Sequence, residues 1–264
     1  MPATIPPIPP TTPPISPTTP PIPPTTPPIS PTTARRSPAN RRAFLTATAA
    51  TVLTSATAVA SAAPAPARTA ADRARPATAQ KALATLLEGN RRWARVRSLH
   101  PHEDRARRVQ VAHEQHPFAT VLSCVDSRVP PELVFDQGLG DLLCIRTAGE
   151  VLDEAVLGSL QFGVVELHVP LLLVLGHERC GAVAATIEQL RTGKQVPGHL
   201  ARLVEGIGPS AWACRDEPGD WVDHTVAAHA RRMRDALRAD PAFRPATVVA
   251  ARYDLDSGLV RVLP

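Results

Sequence analysis

Two stretches of the chain are short, largely apolar and end on polar residues. Residues 118–123 run into Cys124, Asp126 and Arg128, and residues 171–175 run into His177 and Cys180. Runs of this length, without alternation and preceded by Pro117 and Pro170, predict strands buried on both faces. Gly176 then reads as a turn residue. Val134-Phe135 and Leu142–Ile145 predict further strand pieces, with Gly138 and Gly140 at turns. Apolar residues recur at helical spacing over 80–97 (Ala82, Leu83, Leu86, Leu87), over 152–167 (Val156, Leu157, Leu160, Val164), over 181–191 and over 222–237. The first of these helices is expected to be interrupted at Gly89-Asn90. Residues 223–235 read mostly as a solvated face, and His224 and His229, five apart, share a helix face poorly. His100–Val111 reads as loop then helix. Thr247–Tyr253 and Leu259–Leu263 flank Asp256-Ser257-Gly258, a hairpin signal. Strands followed by helices predict an α/β fold with a mostly parallel central β-sheet flanked by helices. Ligands of such sheets collect at the carboxyl ends of the strands, where both polar endings fall.

The first third of the chain does not follow these periods. Residues 8–21 recur at 22–33 with a 14-residue period of Pro, Thr, Ile and Ser. Proline at this density blocks helices and sheet ladders and favours extended polyproline II. Asn40-Arg41-Arg42-Ala43-Phe44-Leu45 and a weakly apolar stretch follow, ending in small-x-small patterns at Ala58-Val59-Ala60 and Ala60-Ser61-Ala62. Paired arginines before Phe-Leu resemble a twin-arginine export signal. The expected division is a low-complexity segment at 1–34, a signal peptide at 35–62, a linker at 63–79 and one folded domain at 80–264. The expected destination is outside the cytoplasm, by the twin-arginine route. No apolar run reaches spanning length, so no integral membrane association is expected.

The charge of +5 changes little. Four of the 29 Lys/Arg residues (Arg35, Arg36, Arg41, Arg42) lie within 1–62, which holds no acid, leaving 25 basic against 24 acidic residues in the remainder. No nucleic-acid partner is expected from a net charge of about +1. Four cysteines are too few for a disulfide scaffold. Cys144, in an apolar run, reads as a buried thiol, and Cys214 as part of a polar loop; a 144–214 bridge is open to an exported protein.

The remaining two cysteines carry the chemistry. Cys124, His177 and Cys180 make a two-thiol, one-imidazole zinc set with one position open, the catalytic pattern rather than the closed structural one. Cys180 would stand at a helix N-terminus, where the dipole favours the thiolate that binds metal. Asp126 and Arg128 form a carboxylate–guanidinium pair in which Arg128 keeps Asp126 ionised.

Cys124-Val125-Asp126-Ser127-Arg128 and His177-Glu178-Arg179-Cys180-Gly181 resemble the two signature motifs of the beta-class carbonic anhydrases, and the resemblance spans roughly residues 80–264. It implies one Zn²⁺ per chain on Cys124, His177 and Cys180, and a catalytic Asp126–Arg128 dyad. A zinc-bound hydroxide would hydrate carbon dioxide reversibly to bicarbonate. Asp126 would become a fourth ligand in a closed state if Arg128 let go. The resemblance further implies substrate binding by Gln115, Leu143, Ala148 and Gly181, with Gln115 reaching a partner's site, and a homodimer or higher homo-oligomer with its opening helix against the partner. His113 and His116 are proton-shuttle candidates by proximity in sequence only. Two departures stand out. Arg146-Thr147-Ala148-Gly149-Glu150 lacks the two amides common there, and Val121 replaces the tryptophan of members with an inhibitory bicarbonate site. Rival readings are a zinc hydrolase of carbonyl sulfide or carbon disulfide, and a non-catalytic zinc-binding module.

Overall fold

A computed structural model describes residues 75–264. The expected low-complexity segment, the signal peptide and the linker up to residue 74 lie outside the described residues. In chain order the elements are α1 (Ala79–Ala94), α2 (Arg105–Gln110), β1 (Ala119–Cys124), α3 (Pro131–Val134), β2 (Leu142–Thr147), α4 (Glu154–Gln161), β3 (Leu171–His177), α5 (Gly181–Thr192), α6 (Ala201–Ala213), α7 (Trp221–Ala239), β4 (Thr247–Tyr253) and β5 (Val260–Leu263). The strands form one sheet in the order β2-β1-β3-β4-β5. The first four run parallel, and β5 returns antiparallel to β4. The α/β fold read from the sequence is the fold observed.

Both faces of the sheet are covered, which is why β1 and β3 read as unbroken apolar runs. Along β3, Leu171, Leu173 and Leu175 join Leu86, Phe135 and Val121 in a core on one face. Leu172 and Val174 join Leu160, Val164, Met233 and Leu237 on the other. The period-2 alternation of a strand assigns each leucine to its layer. Among the described residues, no helix is long and apolar enough to cross a membrane.

Helix α1 is continuous through Gly89 and Asn90, contrary to the interruption expected there. Gly89 is small because a Cβ would collide with the Phe135 carbonyl. The buried Asn90 amide donates to the carbonyls of Val134 (3.1 Å) and Gly258 (2.8 Å), and its oxygen accepts from Val260 N–H (2.7 Å). Two residues that weaken a helix by propensity are thus used to tie α1 to α3 and to the β4–β5 turn. Within the chain α1 packs on its own sheet through Ala82 and Leu86.

Four further expectations are corrected. Val134 ends the short helix α3, opened by Pro131 at its first position, and Phe135 follows it, so neither is in a strand. Gly176 is no turn. It lies within β3, where a Cβ would stand 3.1 Å from Val226 Cγ1 on α7, and its smallness lets that helix approach. Cys214 caps the C-terminus of α6 and is buried, not in a polar loop. Helix α7 is no solvated face: Thr225, Val226, His229, Ala230, Met233 and Leu237 are buried. Helix α6 itself escapes sequence reading because Gly206, Gly208 and Pro209 interrupt its pattern. Gly206 admits Val151, and Arg232 Nη1 donates to the Gly206 carbonyl (2.9 Å) beside the proline. All four cysteines are free thiols, so Cys144 and Cys214 are not bridged, and Cys144 is only half-buried.

Candidate metal centre

The two polar endings converge because β1 and β3 are adjacent and parallel. Ser123 pairs with Leu175, which puts Cys124 and His177 at the same edge of the sheet. The chain then turns through Arg179, at φ 51°, and Cys180 becomes the N-cap of α5. The donor atoms of Cys124, His177 and Cys180 all lie within 4.8 Å of one another, and all three residues are buried.

His177 is oriented by its neighbour. Its Nδ1 donates to the Glu178 carbonyl (2.9 Å), which fixes the tautomer and leaves the Nε2 lone pair free. That Nε2 is buried without any hydrogen-bond partner. The two sulfurs are 4.0 Å apart, near the roughly 3.8 Å expected for two thiolates at about 2.3 Å on a tetrahedral zinc. The orphaned imidazole nitrogen and the sulfur spacing both fit a zinc ion.

Two thiols this close share a proton in the protein itself. Cys124 is held down to about 4, chiefly by the hydrogen bond from Cys180, with help from the Gly149 N–H against the cost of burial. Cys180 is pushed up by the same bond and by burial. Gly149 N–H stands 3.4 Å from Cys124 Sγ.

Asp126 and Arg128 meet in a two-point contact, Nε to Oδ1 at 2.9 Å and Nη2 to Oδ2 at 2.7 Å, and the Arg128 N–H adds a third bond to Oδ1 at 2.9 Å. This guanidinium is the main reason that Asp126 is lowered to about 2. Asp126 Oδ2 lies 3.9 Å from His177 Nε2, beside the donor set and engaged by Arg128. Arg128 Nη2 also donates to the Arg179 carbonyl (3.3 Å), linking the two motifs.

The other residues picked out in the sequence are scattered. Ala148 follows Thr147, which pairs with Cys124, and so borders the site. Gly181 opens α5 with free space at its Cα. Leu143 does not border the site of its own chain. It pairs with Thr120, four positions before the Cys124–Thr147 pair, or about 13 Å along the strand, and it packs at Gly163. Parallel register, which the sequence does not reveal, puts it there. Gln115, His113 and His116 are exposed before the amino end of β1, with about 17 Å of strand between that end and Cys124.

Sequence reasoning missed several residues around the donors. Arg146, at the end of β2, donates to the carbonyls of Cys124 (2.9 Å) and Asp126 (2.6 Å) and so fixes the backbone that carries both. Glu150 is buried, has φ 51° and leaves Oε1 without a partner; burial, and then the Cys124 charge, push its carboxyl well up. His229 binds Gly149. Arg146 and Glu150 were marked in the sequence only as members of the stretch that departs from the resembled family, with no role attached, and nothing marked His229 as part of the site.

Burial pushes His229 down from its ordinary 6.5 to about 4. It is neutral in the fold, while the unfolded chain protonates near 6.5. Its contribution is therefore present above pH 6.5 and lost as the pH falls from there through 4, worth up to about 3 kcal/mol. Urea midpoints measured at pH 7, 5.5 and 4 are expected to fall more steeply for the native chain than for a His229→Gln variant. Equal slopes would contradict this account.

Fold and donors together define an α/β protein with a Cys-His-Cys group able to hold a metal beside an ionised carboxylate. The comparisons narrow that class. The family model described as carbonic anhydrase matches residues 119–260. The carbonic anhydrase of Mycolicibacterium smegmatis is 40% identical over 71% of this chain and 93% of its own length. Carbonic anhydrase 2 of Mycobacterium tuberculosis is 38% identical over 69% and 90%. A structure of tetrameric beta-carbonic anhydrases from Sordaria macrospora aligns with a TM-score of 0.54 at 18% identity, covering 69% of this chain and 96% of that one. The chain belongs to the beta-class carbonic anhydrases, a family of enzymes.

Proposed function

We propose that the protein catalyses the reversible hydration of carbon dioxide to bicarbonate and a proton, with one zinc held by Cys124, His177 and Cys180. The observation that carries this reading is the position of Asp126: ionised, clamped by Arg128, and 3.9 Å from the free His177 nitrogen. Zinc bound there supplies Lewis acidity that brings the ionisation of a water toward neutral pH. Asp126 accepts a hydrogen bond from the attacking oxygen and so directs its lone pair at the substrate carbon. Arg128 holds Asp126 to that task and away from the donors. Arg146 keeps the Cys124 and Asp126 carbonyls in place. The open space at Gly181 and the small Ala148 leave room for a linear substrate.

Two thiolates offset the double charge of the metal, so the rate is expected to grow toward alkaline pH. Asp126, lowered to about 2, is not the group that titrates there. The test is stopped-flow carbon dioxide hydration at pH 7 and pH 9, with zinc assayed on the same sample. One zinc per chain with a rate rising at pH 9 supports the reading. Full zinc with no hydration at either pH rejects it in favour of another heterocumulene substrate or a closed, non-catalytic site.

The same reading includes a homodimer or higher assembly. Its support is the β2 edge, half-buried along its whole length with no strand beyond it among the described residues, the exposed Leu133 and Leu139, and the tetrameric beta-carbonic anhydrases of like fold from Sordaria macrospora. Gln115, too far from its own site, would serve a partner's. It also includes export of the 80–264 domain by the paired-arginine signal at 35–62, which a reporter fusion with Arg41 and Arg42 changed to lysine tests.

A further inference from the structure

His229, on α7, is buried to 1% exposure, and both of its ring nitrogens are committed. Nε2 stands 2.8 Å from the Gly149 carbonyl, and Nδ1 stands 3.2 Å from Ser210 Oγ on α6. A carbonyl can only accept, so Nε2 carries the proton and Nδ1 accepts from the serine hydroxyl. The imidazole is therefore a neutral donor aimed at one peptide.

That peptide is an unusual one to hold. Gly149 has φ 66° and ψ 32°, and Glu150 after it has φ 51°, so two successive residues occupy left-handed space and one of them is not glycine. Such a turn persists only when its surroundings over-determine it. Ile207 of α6 and Ala182 of α5 close on the Gly149 Cα, leaving no room for a Cβ. One peptide plane from the carbonyl that His229 holds, the Gly149 N–H points at Cys124 Sγ, 3.4 Å away. Rotation of the turn would withdraw that N–H from the sulfur.

We propose that His229, locked by Ser210, is a positioning residue that holds the Gly149 turn so that its N–H donates to the Cys124 thiolate and thereby tunes the metal centre. The inference rests on the zinc reading above. A hydrogen bond to a ligating sulfur drains charge from it, so its loss changes both how tightly and how covalently the metal is held.

The test uses the full chain loaded with zinc, for affinity by chelator competition, and with cobalt(II), whose sulfur-to-metal charge-transfer absorption reports thiolate donation. His229→Leu keeps similar bulk and removes the donor. It is expected to lower zinc affinity about 10-fold or more and to shift the charge-transfer band. His229→Gln, whose amide can still donate to the Gly149 carbonyl, is expected to restore both. Ser210→Ala leaves the proton on Nε2, where the Gly149 carbonyl fixes it, but removes the hydroxyl that holds the ring in its orientation, and is expected to shift the band in the same direction but less. If His229→Leu folds and keeps native affinity and spectrum, the proposal is overturned. If it does not fold, a Ser210→Ala variant with native affinity and spectrum overturns it instead. A native protein that holds metal but does not hydrate carbon dioxide would reject the proposed reaction and leave this inference standing on affinity and spectrum alone.

Discussion

A Cys180→Ala variant is expected to purify without zinc and to hydrate carbon dioxide no faster than buffer. Cys180 supplies one of three donors lying within 4.8 Å of one another. Structural zinc sites bind with about 10–16 kcal/mol over four ligands, so one ligand is worth about 3 kcal/mol, on the order of a 10²-fold loss of affinity. The loss also reaches Cys124, because the bond from Cys180 is the largest influence holding that thiol down. The fold should survive. Cys180 caps α5 without a side-chain hydrogen bond to the helix, so alanine removes no cap, and circular dichroism should match the native chain. Zinc content by atomic emission, read beside hydration rate, checks the expectation. A variant that kept one zinc and full activity would remove the thiol from the metal site.

Asp126→Asn should behave in the opposite way, keeping zinc and losing turnover. The carboxylate is not among the converging donors, so its removal leaves Cys124, His177 and Cys180 intact. It does remove the charged acceptor that Arg128 aims. Positioned proton-accepting groups contribute about 10²–10⁴-fold, and kcat is expected to fall by at least the lower figure with little change in metal content. Asp126 is ionised across the working range. The variant should therefore show the alkaline rise of the native enzyme at a lower level rather than a new pH dependence. A kcat within about 3-fold of native would mean that the carboxylate only braces the turn, since one RT ln 3 is about 0.6 kcal/mol. Arg128→Ala separates the two roles. Released from its partner, Asp126 is free to move the 3.9 Å toward the His177 nitrogen, and zinc retained without turnover is the expected result.

The strands that carry the site were legible because a buried parallel strand declares itself locally. FATVLS and LLLVL need no knowledge of their neighbours to read as strands. The reading went wrong where a residue's local tendency was used for a distant purpose. Gly89 and Asn90 look like a break, but one admits the Phe135 carbonyl and the other bonds backbone from residues 134, 258 and 260. Gly176 looks like a turn, but it makes room for α7. Helix α6 carries two glycines and a proline, and packing against its neighbours outweighs their propensity.

The sequence by itself determined the fold class, the two motifs that supply the thiols and the imidazole, and the carboxylate–guanidinium pair two residues apart. Each of the two motifs is written within a dozen consecutive residues, where strand periodicity and helix capping operate, although Cys124 and Cys180 are 56 positions apart. Tertiary structure alone decided that the sulfurs stand 4.0 Å apart, that Leu143 packs at Gly163 and away from the site of its own chain, and that His229 reaches Gly149 across 80 residues. Those facts depend on strand register and helix packing, which are set by contacts between segments far apart in the chain and leave no periodic mark on either segment.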